Sequence, residues 1–249
     1  MEGFSNEYLG GGITAVISAE HGFGTDAVLL ADFAAPNKKA TCCDLGTGCG
    51  IIPLLWCRKE GGKITAVDIQ QQACEQVERA IELNGLEQRL SVINSDLRDL
   101  KGKLPFGAYD VVTMNPPYTA ENAGIASSGE AQLIARHGVM CTLSDVCNTA
   151  AKLLNFGGRL CMCIRPERIC ELFCCMRESG IEPKKMRFVV KNHEKAPWLV
   201  LVEGRRGGKA GMTVVPQLCV YGENGEYSDE MKKIYADYLH ENRKGESGK

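Results

Sequence analysis

Four short strings in this chain bring together residue types that do chemistry in combination. The first, Asp44-Leu45-Gly46-Thr47-Gly48-Cys49-Gly50, spaces its glycines as G-x-G-x-G. Glycines allow a tight turn and close approach of a ligand to the backbone, and a helix starting behind them offers unpaired N–H donors. The spacing is not the G-x-G-x-x-G of dinucleotide folds. An acidic residue two positions ahead of the first glycine suits a zwitterionic or cationic ligand better than a pyrophosphate. The second is Asp68, 18 residues past Gly50, where a carboxylate ending a strand accepts ribose hydroxyls. The third is Asp96, after Val92-Ile93-Asn94-Ser95, which could accept from an adenine amino group. Either Asp alone reads as a cap or a turn residue; in series with the glycine loop, ligand contact is the better reading.

The fourth string decides the reaction. Asn115-Pro116-Pro117-Tyr118 follows the apolar run Tyr109–Thr113. Two prolines lack N–H donors and fix φ, so the chain makes a rigid turn. Such a turn presents the Asn115 side-chain carbonyl and the Pro116 backbone carbonyl as fixed acceptors. Together they would hold both hydrogens of a planar exocyclic amino group and draw its nitrogen toward a tetrahedral nucleophile. Tyr118 offers a ring for stacking a base, worth about 1–3 kcal/mol. The bland alternative is a Pro-Pro turn that merely ends a strand.

These strings need elements to position them. Apolar runs at Thr41–Leu45, Lys63–Asp68, Arg89–Asn94 and Tyr109–Met114 alternate with helical patterns at Ile51–Lys59 and Gln70–Asn84, the latter stopped by Asn84-Gly85. Thr142-Leu143-Ser144-Asp145 reads as a capping box opening a helix that ends before Gly157-Gly158. A strand at Leu160–Ile164 and a helix opened by Pro166 and stopped by Gly180 follow. The C-terminal third reads as strands at Met186–Val190, Trp198–Glu203 and Thr213–Tyr221, and the residues before Thr41 as a strand pair and one helix. Strand–helix alternation implies a mostly parallel sheet with helices on both faces, where ligands bind outside the carboxyl ends of the strands.

Composition bounds the reading. The 249 residues include 29 Lys+Arg, 31 Asp+Glu and 44% hydrophobic residues, which excludes a disordered or fibrous chain and suits one elaborated domain. No apolar run reaches the roughly 18 residues of a membrane helix, and the first residues lack the pattern of a secretory signal, so a cytoplasmic protein with no membrane contact is expected. Thirteen cysteines with no C-x-x-C pair read as reduced core thiols and not as a disulfide or zinc framework. His21, His137, His193 and His240 show no metal spacing. Net charge is −2, but Lys184, Lys185, Arg187, Lys191, Lys195, Arg205, Arg206 and Lys209 stand against only Glu194 and Glu203 between positions 184 and 209. That band fits a polyanion footprint or a solvated surface.

Taken together, D-L-G-T-G-C-G, A-V-D, N-S-D and N-P-P-Y resemble the motifs of class I S-adenosylmethionine-dependent methyltransferases, in the amino-group branch. More narrowly, Gly22-Phe23-Gly24-Thr25-Asp26-Ala27-Val28-Leu29-Leu30, Ala135-Arg136-His137, Arg165-Pro166-Glu167-Arg168 and Leu201-Val202-Glu203-Gly204-Arg205 resemble the bacterial valine-tRNA adenine-N6 methyltransferases. Members of that family often carry Glu after the Arg-His pair, where this chain has Gly138. The resemblance implies an α/β, Rossmann-like fold with a mostly parallel seven-stranded sheet. It divides the chain into an N-terminal extension (1–40), a methyltransferase domain (41–221) and a polar, helical tail (222–249).

The implied reaction is methylation of adenine N6 in tRNA, at the adenosine 3′ of the anticodon, with S-adenosylmethionine as cofactor and no metal. Other acceptors remain open: guanine N2 of ribosomal RNA, or a protein glutamine. A non-enzymatic SAM-sensing or RNA-binding module is the alternative of another class, and an intact carbonyl clamp argues against it. No DNA target-recognition insertion and no helical N-terminal domain are visible, and a compact enzyme with a basic band favours structured RNA. A monomer is expected, with a homodimer open.

The site read from the sequence is therefore Asn115, Pro116 and Tyr118 for catalysis. Asp44, Gly46, Gly48, Gly50, Asp68, Asp96 and again Asn115 serve the cofactor. Pro117, Tyr118, Arg136, Arg205 and Arg206 serve the substrate. Arg136 would grip phosphate with its planar fork, the pair Arg205-Arg206 would sit at the rim of the site, and Thr119–Gly138 would order as a flap over the base. Methyl transfer to an amine depends chiefly on positioning, so no general base is assigned.

Overall fold

The computed structural model of the chain describes residues 3–59, 61–116, 141–235 and 238. A hairpin of β1 (Phe4–Gly10) and β2 (Ile13–Ser18) leads into α1 (Thr25–Ala34). Then come β3 (Thr41–Leu45), α2 (Ile51–Cys57), β4 (Lys63–Asp68), α3 (Gln71–Asn84), β5 (Leu90–Asn94) and β6 (Tyr109–Met114). The second half holds α4 (Leu143–Leu153), β7 (Leu154–Ile164), α5 (Ile169–Glu178), β8 (Ile181–Val190), β9 (Leu199–Arg206), β10 (Thr213–Cys219) and α6 (Asp229–Tyr235).

The main sheet has the order β10-β8-β9-β7-β6-β3-β4-β5. Strands β7 to β5 across the middle pair in parallel, and β9 alone runs against its neighbours β7 and β8. The chain builds outward from β3 through β4 to β5, then returns to lay β6 on the other side of β3. The topological switch point therefore lies between β3 and β6, where open α/β sheets bind ligands.

Central strands are buried on both faces, as parallel sheets require. Cys42, Ile64, Ala66, Val111, Cys161 and Cys163 face the core under α1, α2 and α3, while Cys43, Leu45, Val67, Val112, Met114 and Met162 face the core under α4 and α5. Eight of the thirteen cysteines are buried, which is the expected use as small apolar side chains.

Two expectations need correction. Among the described residues the sheet has eight strands, not seven, because β10 adds outside β8 as an edge strand. Its pairing skips at Pro216, between Val215 and Leu218, and an edge tolerates the missing proline N–H. Gly157-Gly158 also does not separate helix from strand. β7 starts directly at Leu154, and the glycines form a bulge between the pairs Tyr109–Leu154 and Val111–Arg159. A Cβ on Gly158 would lie 2.9 Å from the Tyr109 carbonyl, so only glycine lets the bulge close.

The helix ends follow local chemistry. α4 opens on the expected capping box, Thr142 accepting from the Asp145 N–H and Asp145 from the Thr142 N–H. The N-terminal hairpin docks on α3 through Asn84, whose amide both accepts from and donates to the Thr14 backbone at 2.8 and 2.7 Å. At the start of α1, Thr25 Oγ1 meets the Tyr235 hydroxyl at 3.1 Å, and Phe23 packs edge-on to Tyr238. Among the described residues, no helix is long and apolar enough to cross a membrane.

Candidate active site

Register brings the sequence motifs to one edge. Leu45 pairs with Val67 on one side and with Met114 on the other, so the glycine loop after Leu45 lies between the ends of β4 and β6. Neighbouring strands are roughly 4.8 Å apart, which makes Gly46 and Asn115 neighbours across the switch point although 69 positions separate them.

The loop is held by its surroundings. Thr47 N–H donates to the Val67 carbonyl at 3.1 Å, and Gly48 N–H donates to Asp68 Oδ2 at 2.8 Å. Gly48 and Gly50 take φ of 56° and 77°, the left-handed region that a side chain resists. Nothing stands within 4 Å of where a Gly48 Cβ would be, so the backbone there faces open space. Asp68 Oδ1 also accepts from the Gln70 N–H at 2.9 Å. A carboxylate has about four lone-pair sites, and these backbone donors fill two of them. Burial raises the Asp68 pKa above the usual carboxylate value, with the Gln70 and Gly48 N–H groups opposing it. Ile69, next in the chain, is 47% exposed. An open glycine backbone, a carboxylate with spare acceptor sites and an apolar surface beside it fit S-adenosylmethionine, whose parts are charged, hydroxylated and flat.

Two acidic residues sit differently from expectation. Asp44 is buried and accepts from the Thr113 hydroxyl at 2.6 Å, tying β3 to β6. Burial pushes its carboxyl up to about 7 against the Thr113 and Thr47 hydroxyls. It braces the floor of the loop from beneath. Asp96 lies two residues past β5 and is gripped by Arg98, with Nη2 2.6 Å from Oδ2, which lowers its pKa. An adenine amino group would compete with that ion pair.

At the end of β6, the Asn115 amide nitrogen donates to Asp26 Oδ2 at 3.1 Å, and Cys163 Sγ donates to Asn115 Oδ1 at 3.0 Å. Pro116 is buried behind it. Asp26 and Cys163 escaped the reading of the sequence; Asp26 belongs to the string Gly22–Leu30, but nothing local gives it a chemical role. Pro117, Tyr118, Arg136, His137 and the expected flap lie outside the described residues.

The basic band divides. β9 is antiparallel, so its end carries Arg205 and Arg206 to the edge opposite Asn115: Arg205 pairs with Arg159, which is level with Val111 at the start of β6. They are not at the rim of the site. Arg206 donates to the Leu154 carbonyl, Arg187 grips Glu230, and Lys185 faces Glu203 and the Phe33 ring. Lys191 and Lys195 behave otherwise. They follow β8 on the carboxyl edge and are exposed; Arg165, following β7 on the same edge, donates from its guanidinium to the Trp198 carbonyl at 3.0 Å. No group of three or more His, Cys, Asp or Glu among the described residues is arranged to hold a metal.

A doubly covered, mostly parallel sheet with an open glycine loop and an Asn-Pro turn at its switch point defines a Rossmann-like class I methyltransferase. Solved structures agree on the fold. A predicted O-methyltransferase from Agrobacterium tumefaciens superposes with a TM-score of 0.69 at 19% identity, covering 85% of this chain and 95% of its own. A geranyl diphosphate methyltransferase in complex with SAM superposes with a TM-score of 0.55 at 14% identity, over 72% and 84%. The family model of the methyltransferase small domain matches residues 15–172, and the chain belongs to that family of SAM-dependent methyltransferases. The tRNA1(Val) (adenine(37)-N6)-methyltransferase of Histophilus somni strain 2336 is 30% identical over 227 residues, which cover 86% of this chain and 89% of the relative. The tRNA1(Val) (adenine(37)-N6)-methyltransferase of Tolumonas auensis is 28% identical, over 83% and 85%.

Proposed function

We propose that the chain methylates the N6 amino group of an adenine in tRNA, the adenosine 3′ of the anticodon of a valine tRNA. The observation that carries the reading is Asn115 at the switch point, one strand from the glycine loop. Its amide is oriented by Asp26 and Cys163. The relatives that share more than four-fifths of their length with this chain are named for that tRNA and position.

S-adenosylmethionine, when bound, supplies a methyl group on a sulfonium that reacts by in-line displacement. Gly46, Gly48 and Gly50 give it backbone contact, Asp68 accepts from its ribose hydroxyls, and Asp96, exchanging with Arg98, accepts at the adenine end. Asp44 acts from beneath the loop. Asn115 Oδ1 and the Pro116 carbonyl accept hydrogen bonds from the two hydrogens of the adenine N6 group, and the base is assigned to Pro117 and Tyr118, outside the described residues. The nitrogen lone pair forms the new N–C bond as the methyl–sulfur bond breaks and its electron pair stays on sulfur, leaving the thioether S-adenosylhomocysteine, and the surplus proton leaves to water. The chain's contribution is positioning, and no metal enters the scheme. Lys191 and Lys195, with Arg136 from beyond the described residues, take the RNA backbone in place of Arg205 and Arg206.

The test is incubation with labelled S-adenosylmethionine, chelator and total tRNA, followed by digestion to nucleosides. Label in N6-methyladenosine from a valine tRNA is the expected result. Label in N2-methylguanosine, or only in added protein, keeps the methyltransferase and removes the substrate.

A further inference from the structure

Asn115 can act on an amino group only if its oxygen, not its nitrogen, faces the acceptor. Side-chain amides have two near-identical ends, and the partners decide which way they point. Asp26 decides it here. A carboxylate accepts and does not donate when ionised, and Asp26 Oδ2 lies 3.1 Å from Asn115 Nδ2. The amide must therefore give its NH2 to Asp26 and turn its oxygen away from that carboxylate, where Cys163 Sγ donates at 3.0 Å. A hydrogen bond to a charged acceptor is stronger than a neutral one, and bonds in a chain polarise one another. The Asp26 contact thus also makes Oδ1 a better acceptor.

The carboxylate is itself built in place. It sits in the first turn of α1, where a negative charge is favoured by the helix N-terminus. A Cβ on Gly24 would lie 2.5 Å from Asp26 Oδ1, so the side chain folds back into space that only glycine leaves. The entry to α1 is tied down next door, through Thr25 and Tyr235.

We propose that Asp26 is the positioning residue of the methyl transfer: it fixes the Asn115 amide with its oxygen toward the acceptor amino group, in a pocket that Gly24 keeps open. This rests on the proposed role of Asn115 but not on which amino group is methylated.

Three variants test it. Asp26→Ala lowers kcat about 10²-fold, the cost of a small misplacement, while cofactor Kd and acceptor KM stay within about twofold, a split expected for a contact that acts only in the transition state. Asp26→Asn keeps an oxygen for Asn115 Nδ2 and recovers most of that loss. Gly24→Ala, which touches neither partner chemically but pushes on Oδ1, slows kcat in the same direction.

A readout free of activity is the NMR signal of the Asn115 NH2 group, identified by its loss in Asn115→Ala. It is slow to exchange in the wild type and in Asp26→Asn, and fast in Asp26→Ala. Wild-type kcat in Asp26→Ala, or an unchanged NH2 signal there, overturns the proposal. So does a loss confined to cofactor Kd. Methylation of an amino group other than adenine N6 would sink the substrate assignment alone, since the same kcat split is then read on that acceptor.

Discussion

The strands on the two sides of the switch point build their parts of the site by different means. On the β4 and β5 side, the parts are short loops that hold each other through backbone: Gly48 N–H on Asp68, Thr47 N–H on Val67, Ser95 N–H on the Asp68 carbonyl. On the β6 and β7 side, the parts come from far along the chain. Asn115 is oriented by Asp26, 89 residues earlier, and by Cys163, 48 residues later. The first arrangement needs only the loops to form. The second works only if α1, β6 and β7 are all in place, so chemistry on the acceptor should be lost more easily than cofactor affinity.

Asp68→Ala probes the first side and should have the largest effect on binding. It removes the acceptor proposed for the ribose hydroxyls and the partner of two backbone N–H groups. Cofactor affinity should fall by about 1.5–3 kcal/mol, the range for charged hydrogen bonds, with kcat at saturating cofactor little changed. Calorimetry with S-adenosylhomocysteine measures it, and undiminished binding would remove Asp68 from the site.

A smaller effect separates the two groups of basic residues. Lys191→Ala with Lys195→Ala should weaken tRNA binding and flatten its log–log salt dependence by about 0.7–0.9 per phosphate contact. Arg205→Ala, at the opposite edge, should leave the slope unchanged. Affinities at several salt concentrations decide between them, and the reverse pattern would return the RNA to the amino edge.

A separate effect, on stability and not on binding, comes from the brace between the halves. Asp44 is raised from 3.8 to about 7. Below the lower value both folded and unfolded chains hold the proton. Between the two, the folded chain keeps it and the unfolded chain loses it, so stability falls as pH rises through the window and levels off above about 7. Asp44→Asn keeps a partner for Thr113 and should flatten that decline in denaturant midpoints taken across the window. A decline of equal steepness in the variant would assign it to other groups.

The contrast also explains what could be read in advance. The strand-end positions of the glycine loop and Asp68 and the capping box at Thr142 are legible because each motif completes itself within a few residues or one strand crossing. Arg205 and Arg206 are misread because strand direction decides which edge a strand end reaches, and direction is set by pairing: β9 turns back between β7 and β8. Asp96 is legible as a strand-end acid but not as the partner of Arg98, two residues on, which competes for it. Asp26 has no local mark at all, since its meaning is the amide it meets across the fold. The eighth strand is similar: Thr213–Tyr221 looks like a strand in sequence, but only the pairing of Thr213–Cys219 with β8 shows that it extends the main sheet.

The division of labour between the two sides is tested most directly on Asn115→Ala, by measuring cofactor Kd and single-turnover methylation of tRNA on the same folded protein. The structure predicts Kd close to wild type with turnover lost by about 10²–10³-fold, comparable to removing a transition-state contact. Loss of cofactor affinity in step with turnover, or turnover near wild type, would contradict it.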